Sequence, residues 1–265
     1  MNYELSLLRT RAPEDRTSNL VNPTLWRRLL AEFTGTAMLV TAVVGSGVMA
    51  SRLTADIGLQ LLENSVATAL ALGALILTFG PVSGAHFNPV VSAADWFLGR
   101  RTGTGLAGRD LAGYVAAQVA GAIGGAVLAN LMFKLPAVDL ATKDRTGSDL
   151  WLGEVVATAG LLLLIFALAR SGRAAVAPAA VGAYIGAAYW FTSSTSFANP
   201  AVTIGRAFSD TFAGIAPGSV PGFVAAQLAG LAIGVGLLLA LYPSAGRAAG
   251  DVLVAQHGNH GGTSR

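Results

Sequence analysis

Two short runs stand out by residue type and spacing: Asn88-Pro89-Val90 and Asn199-Pro200-Ala201. An Asn side-chain oxygen caps a helix by accepting from the free backbone N–H groups of the first turn. Pro is favoured at the first helical position that follows. Each run therefore reads as a helix start, although each lies within an apolar stretch. The chemistry this pair can do is hydrogen bonding. The side-chain oxygens cap, and the amide N–H groups are left to donate to a neutral, oxygen-bearing solute.

Other chemistry-bearing residues are few. Glu32 and Glu154 sit in apolar segments, where a carboxylate is a functional suspect by default. Their matched positions favour a structural role instead, each accepting hydrogen bonds from a neighbouring loop. His86, two residues before Asn88, reads as a holder of loop shape in preference to a proton shuttle. No His pair, Ser–Lys pair or Asp pair falls on converging faces, so the residues do not describe an enzyme. His257 and His260 lack a second pair of metal ligands and belong to a small, polar tail. No metal and no cofactor is expected.

Composition identifies the solvent around these residues. The chain has 265 residues, 53% apolar and only 12% charged, against about 25% charged in a soluble domain. Lipid fits that deficit. There are no cysteines, which excludes disulfide and thiolate chemistry. The positive balance does not indicate nucleic acid, because Lys and Arg lie between apolar runs instead of forming one patch.

Six segments approach the roughly 20 apolar residues that a spanning helix needs. They are Trp26–Ala50, Asn64–Phe79, Leu111–Phe133, Leu150–Ala169, Val176–Ser193 and Gly222–Tyr242. Two further pieces, Asn88–Leu98 and Asn199–Phe208, are too short to cross: at 1.5 Å per residue, ten residues cover roughly 15 Å, half the hydrocarbon core. They read as re-entrant half-helices. The expected organisation is an N-terminal tail over 1–25, one membrane domain over 26–242, and a C-terminal tail over 243–265. Trp26, Trp190 and Phe191 fit an interfacial aromatic belt.

With the N-terminus inside, twelve of the 17 Lys and Arg fall on the inner side. The other five are Arg52, Lys134, Lys143, Arg145 and Arg206. That asymmetry places both termini in the cytoplasm and the chain in the inner (plasma) membrane.

The segments repeat. Glu32-Phe33-Thr34-Gly35-Thr36 answers Glu154-Val155-Val156-Ala157-Thr158. Pro81–Asp95 answers Thr192–Arg206, which makes Asp95 the counterpart of Arg206 and places it at the inner mouth. Tyr114–Gly121 answers Phe223–Gly230. The halves are 26–133 and 150–242, joined by 134–149. Three spans per half is an odd number, so the second half enters from the opposite side and the repeat is inverted. The N-termini of the two half-helices then meet at mid-membrane, each with about half a positive charge, and repel cations. Non-helical backbone at that depth must line a cavity or be buried in protein.

The paired Asn-Pro motifs, the E-x-x-x-T helix starts and the A-Q-x-x-G helices resemble the aquaporin, or major intrinsic protein, family over residues 26–242. The resemblance implies six transmembrane helices with two half-helices, a passive channel for small neutral solutes, and a homotetramer in the lipid bilayer. Family water channels carry an Arg three residues after the second Asn. Here that position is Val202. Carrying the other constriction positions over by spacing gives Thr68, Ala187 and Ser196. Val90 also departs from the usual Ala and carries little functional weight.

A constriction of Thr, Ala, Ser and Val would be wide and without a fixed cation. That pattern is similar to the channels of bacterial arsenic-resistance operons, which implies metalloid hydroxides such as arsenite and methylated arsenicals. A glycerol or water facilitator is the alternative, and an ion-coupled secondary transporter a more distant one. Arg206, one turn beyond Val202, has two readings. It is either a displaced gate in the outer vestibule or a surface residue snorkelling or pairing with Asp210.

Overall fold

The computed structural model describes residues 23–100 and 103–242. The two tails fall almost wholly outside the described residues, and with them His257, His260, Arg101 and the tail arginines. Among the described residues there are eight α-helices and no strand. These are α1 (Leu25–Leu53), α2 (Ile57–Ser83), α3 (Pro89–Gly99), α4 (Gly108–Met132), α5 (Ser148–Arg170), α6 (Ala177–Phe191), α7 (Pro200–Arg206) and α8 (Val220–Leu241). Six of them, α6 and α8 each extended by a leading 3-10 turn, are long and apolar enough to cross a membrane. The chain is an all-α membrane protein with two re-entrant half-helices.

Boundaries moved where capping chemistry decided them. The second span starts at Ile57 instead of Asn64 because the Asp56 carboxylate accepts from Leu59 N at 2.9 Å. It ends at Gly84, whose left-handed φ of 86° closes the helix. Half-helix α7 is seven residues long, shorter than the run Asn199–Phe208 suggested.

The repeat appears as packing. Helix α1 lies along α4 and α2, and α5 lies along α8 and α6. At the α1–α4 crossing a side chain at Gly121 would collide with the carbonyl of Phe33. At the α5–α8 crossing one at Gly230 would meet the carbonyl of Val155. Glycine at these two matched positions lets backbones touch, the small-residue packing that lipid favours. Outward faces keep large apolar side chains exposed, among them Trp26, Leu70, Leu77 and Trp190, as expected where hydrocarbon is the surrounding solvent.

Candidate functional site: a cavity between two facing half-helices

Each half-helix begins as its residue types dictate. Asn88 and Asn199 have extended backbone and cap the helices that follow. Asn88 Oδ1 accepts from Val90 N at 3.1 Å, and Asn199 Oδ1 from Ala201 N at 3.0 Å and Val202 N at 3.2 Å. The amide nitrogens are not wholly left to the lumen, as the sequence suggested. Asn88 Nδ2 donates to Ala198 O and Asn199 Nδ2 to Phe87 O, both at 2.8 Å. One of the two N–H bonds on each amide is thus used to tie the halves together, which leaves one per Asn for the cavity that both line.

The loops leading into the half-helices are strained in matched places. Ala85, Phe87, Thr195, Ser196 and Ala198 all have positive φ, between 48° and 61°, a conformation that costs a non-glycine residue about 1–2 kcal/mol. The two buried carboxylates offset that cost. Glu32 accepts from Ser83 Oγ, His86 N, Phe87 N and Gln118 Nε2 at 2.6–3.0 Å. Glu154 accepts from Ser194 Oγ, Phe197 N, Ala198 N and Gln227 Nε2 at 2.6–2.8 Å. Four donors converging on each carboxylate hold the loop carbonyls in place and saturate the buried charge.

His86 and Asp95 flank the first loop. The His86 ring lines the cavity, with Nδ1 3.0 Å from Ser92 Oγ and Nε2 3.9 Å from Asp95 Oδ2. Asp95 does not face a mouth of the cavity. It is buried, and its Oδ2 accepts from Leu106 N at 2.6 Å, so it fastens the α3–α4 connection.

The cavity has a volume of about 60 Å³, counted as the space open to the centres of water-sized molecules. Its walls are mostly aliphatic, with Leu72 and Ile76 of α2, Leu161 and Ile165 of α5, and Val181 and Ile185 of α6 among them. Polar groups enter from Thr68, Tyr189, His86, Asn88, Asn199, Ser196 and Arg206.

Of the expected constriction residues, Thr68, Ser196 and Val202 line this cavity and are brought together. Ala187 is not among them. It lies exposed on the far side of α6. The lining stripe of that helix is Val181, Ile185 and Tyr189, at i, i+4 and i+8. Ala187 is two residues off the stripe, about 200° around the helix. On that stripe stands Tyr189, with its hydroxyl 3.2 Å from Thr68 Oγ1, so the α6 wall carries an aromatic ring where a small residue was expected. The i, i+4 spacing that matches Thr68, Leu72 and Ile76 on α2 was the signal that identifies it.

Arg206 is buried at 2% exposure and lines the same cavity. This overturns its reading as a surface residue, and Asp210 accepts from Thr142 instead. The Arg206 guanidinium lies 3.4 Å from the Phe197 ring centre, and its Nε donates to the carbonyl of Ala213. Arg145, from the connecting loop, approaches the same ring at 5.0 Å and donates from Nε to Gly214 O at 2.9 Å. Neither arginine forms an ion pair among the described residues. Burial, and then Arg145 and Arg206, pull the nearby Lys143 ammonium down to about 8. Nothing in the spacing of the connecting loop marked Arg145 or Lys143 for this site, since the loop has no helical or strand period.

The comparisons with known proteins agree with this architecture. The family model "Major intrinsic protein" matches residues 19–198. The chain is 54% identical to the aquaglyceroporin AqpS of Rhizobium meliloti (strain 1021) over 214 residues, covering 81% of this chain and 89% of that one. It is 32% identical over 232 residues to a glycerol uptake facilitator protein of Pseudomonas aeruginosa, covering 76% and 80%. The fold is similar to the X-ray structure of the aquaglyceroporin from Plasmodium falciparum, with a TM-score of 0.60, 20% identity, and coverage of 84% and 99%. Six spans, two facing half-helices, a shared central cavity and these matches lead to one conclusion: the chain belongs to the major intrinsic protein family of membrane channels.

Proposed function

We propose that the cavity is the pore of a passive channel for small uncharged solutes, glycerol and metalloid hydroxides such as arsenite and methylated arsenicals among them. The observation that carries this reading is Val202. At the position where family water channels hold an arginine, the cavity wall has an aliphatic side chain buried to 5% exposure. An apolar wall with a few oriented polar groups suits a solute with several hydroxyls on a small body.

In this reading Asn88 and Asn199 are the pore midplane, each offering its remaining N–H to a passing hydroxyl. Thr68, Tyr189, Ser196 and Val202 form the constriction, with Tyr189 standing where Ala187 was expected. Glu32, Glu154 and His86 hold the loops. The facing half-helix N-termini exclude cations. The protein sits in the inner membrane with both termini cytoplasmic, assembled as a homotetramer, and the Arg206 end of the pore faces outward. Similarity to an aquaglyceroporin and to a glycerol uptake facilitator supports the solute class.

A plain glycerol facilitator is the second reading. The Tyr189 ring favours it, because it makes the passage tighter than four small residues would. Stopped-flow permeability of proteoliposomes to water, glycerol and arsenite separates the two. Arsenite flux well above that of empty liposomes supports the metalloid reading, glycerol flux without it leaves the facilitator, and saturable ion-dependent uptake would overturn both.

A further inference from the structure

The Arg206 end of the cavity holds two buried cationic side chains with no carboxylate paired to either among the described residues. Two guanidinium groups, Arg206 at 2% and Arg145 at 7% exposure, bracket the ring of Phe197 from 3.4 Å and 5.0 Å. Each is tied by Nε to a backbone carbonyl, of Ala213 and Gly214 respectively. Their terminal amino groups make no ion pair among the described residues, so the fork of Arg206 is held in place and still open. The hydroxyl of Ser196, the residue that precedes Phe197 in the chain, is buried without a hydrogen-bond partner, and Ser196 lines the same cavity as Arg206. Among the described residues, no Asp or Glu lines the cavity. The buried carboxylate nearest in the loop architecture, Glu154, is already saturated by four donors.

A fixed, desolvated guanidinium with an unfilled hydroxyl in the same cavity is complementary to two oxygens on one central atom. We propose that Arg206 and Ser196, backed by Phe197 and Arg145, form a binding site for small oxyanions, monoanions of the carboxylate, phosphonate and arsonate type. The ligand's two oxygens meet the two terminal amino groups of Arg206, and Ser196 Oγ donates to one of them. Arg145 acts through the Phe197 ring as a positioning residue that adds positive field. The site would concentrate oxyacids at one end of the pore and, when filled, obstruct neutral solutes. This inference rests on the reading of the cavity as the pore only for its effect on flux. Binding itself does not depend on it.

The test uses the full chain and methylphosphonate as the probe, at a mildly acidic pH where it is a monoanion. Calorimetry on the protein in detergent measures binding, and stopped-flow glycerol efflux from proteoliposomes measures obstruction. Expected results are saturable methylphosphonate binding, competitive loss of glycerol flux, and no effect of methylammonium. Arg206→Lys keeps the charge but not the fork, and should weaken binding about tenfold. Ser196→Ala, which leaves the guanidinium in place, should weaken it a few-fold. Methylphosphonate that does not bind the wild-type protein, or binds it and both variants equally, overturns the site. Binding that weakens in the variants, together with an absence of glycerol flux, would uphold the site and overturn the pore reading instead.

Discussion

The hydroxyl of Tyr189 lies 3.2 Å from that of Thr68 and joins α6 to α2 at the cavity wall. If this wall is the constriction of the proposed pore, the contact fixes the position of the Tyr189 ring in it. It also predicts the effect of removing the ring: Tyr189→Ala should raise permeability to polyols larger than glycerol, such as ribitol, relative to glycerol itself. Stopped-flow ratios for the two solutes check this, and an unchanged ratio would mean that the constriction lies elsewhere.

Val202 faces the same space. Val202→Arg should cut glycerol permeability about tenfold, a barrier increase of about 1.4 kcal/mol, while water permeability falls less. Equal losses for both solutes would point to misfolding and not to a narrowed bore.

Asn199 is both a cap and a tie. Asn199→Ala removes the cap on two N–H groups and the bond to Phe87 O, at a cost of about 2 kcal/mol in total. Thermal unfolding in detergent reads that loss. Asn199→Asp puts a negative charge at the start of α7, and should raise cation leak above that of the wild type. A pH-sensitive dye trapped in proteoliposomes measures the leak.

The buried carboxylates are predicted to be interchangeable in effect. Glu154→Gln keeps the shape, but it loses the charge and points an NH2 group at a ring of donors. At about 1.5–3 kcal/mol for each charged hydrogen bond weakened, the variant should lose most of its thermal stability. Glu32→Gln should do the same through the first loop. If either variant unfolds like the wild type, the carboxylate is not what holds its loop.

Lys143 gives a pH-dependent expectation. It faces Arg145 and Arg206, with Asp144 and Asp210 on the same loops, and its ammonium is pulled from 10.5 to about 8. The charged form is disfavoured in the folded chain, so the penalty is complete below about 8 and is relieved as pH rises toward 10.5. The wild type should therefore gain thermal stability relative to Lys143→Gln across that window. A constant difference between the two proteins would contradict it.

Much of this was legible in the sequence because it was written in local chemistry. Asn followed by Pro means a capped helix start wherever it occurs, and six apolar runs of spanning length mean six helices. The duplicated Glu, Gln and Gly positions carried the inverted repeat. The constriction was only partly legible, because the lining face of α6 is set by how that helix turns against α2, and one run of small residues looks the same from every side. Spacing alone therefore points to Ala187, while the cavity is lined by Tyr189. Arg145 was out of reach for a different reason: its burial depends on a contact with Phe197, 52 residues away in sequence, across a loop with no periodic pattern.

The crossed bonds between Asn88 and Ala198 O, and between Asn199 and Phe87 O, carry an implication for the chain as a duplicated object. Each half supplies an amide that finds its acceptor only in an upside-down copy of itself. A separately expressed half has no way to complete its own centre, and two such halves would have to insert in opposite orientations before either could close. The linker 134–149 therefore settles a question of stoichiometry and orientation: it guarantees one copy of each orientation, side by side, in every molecule made.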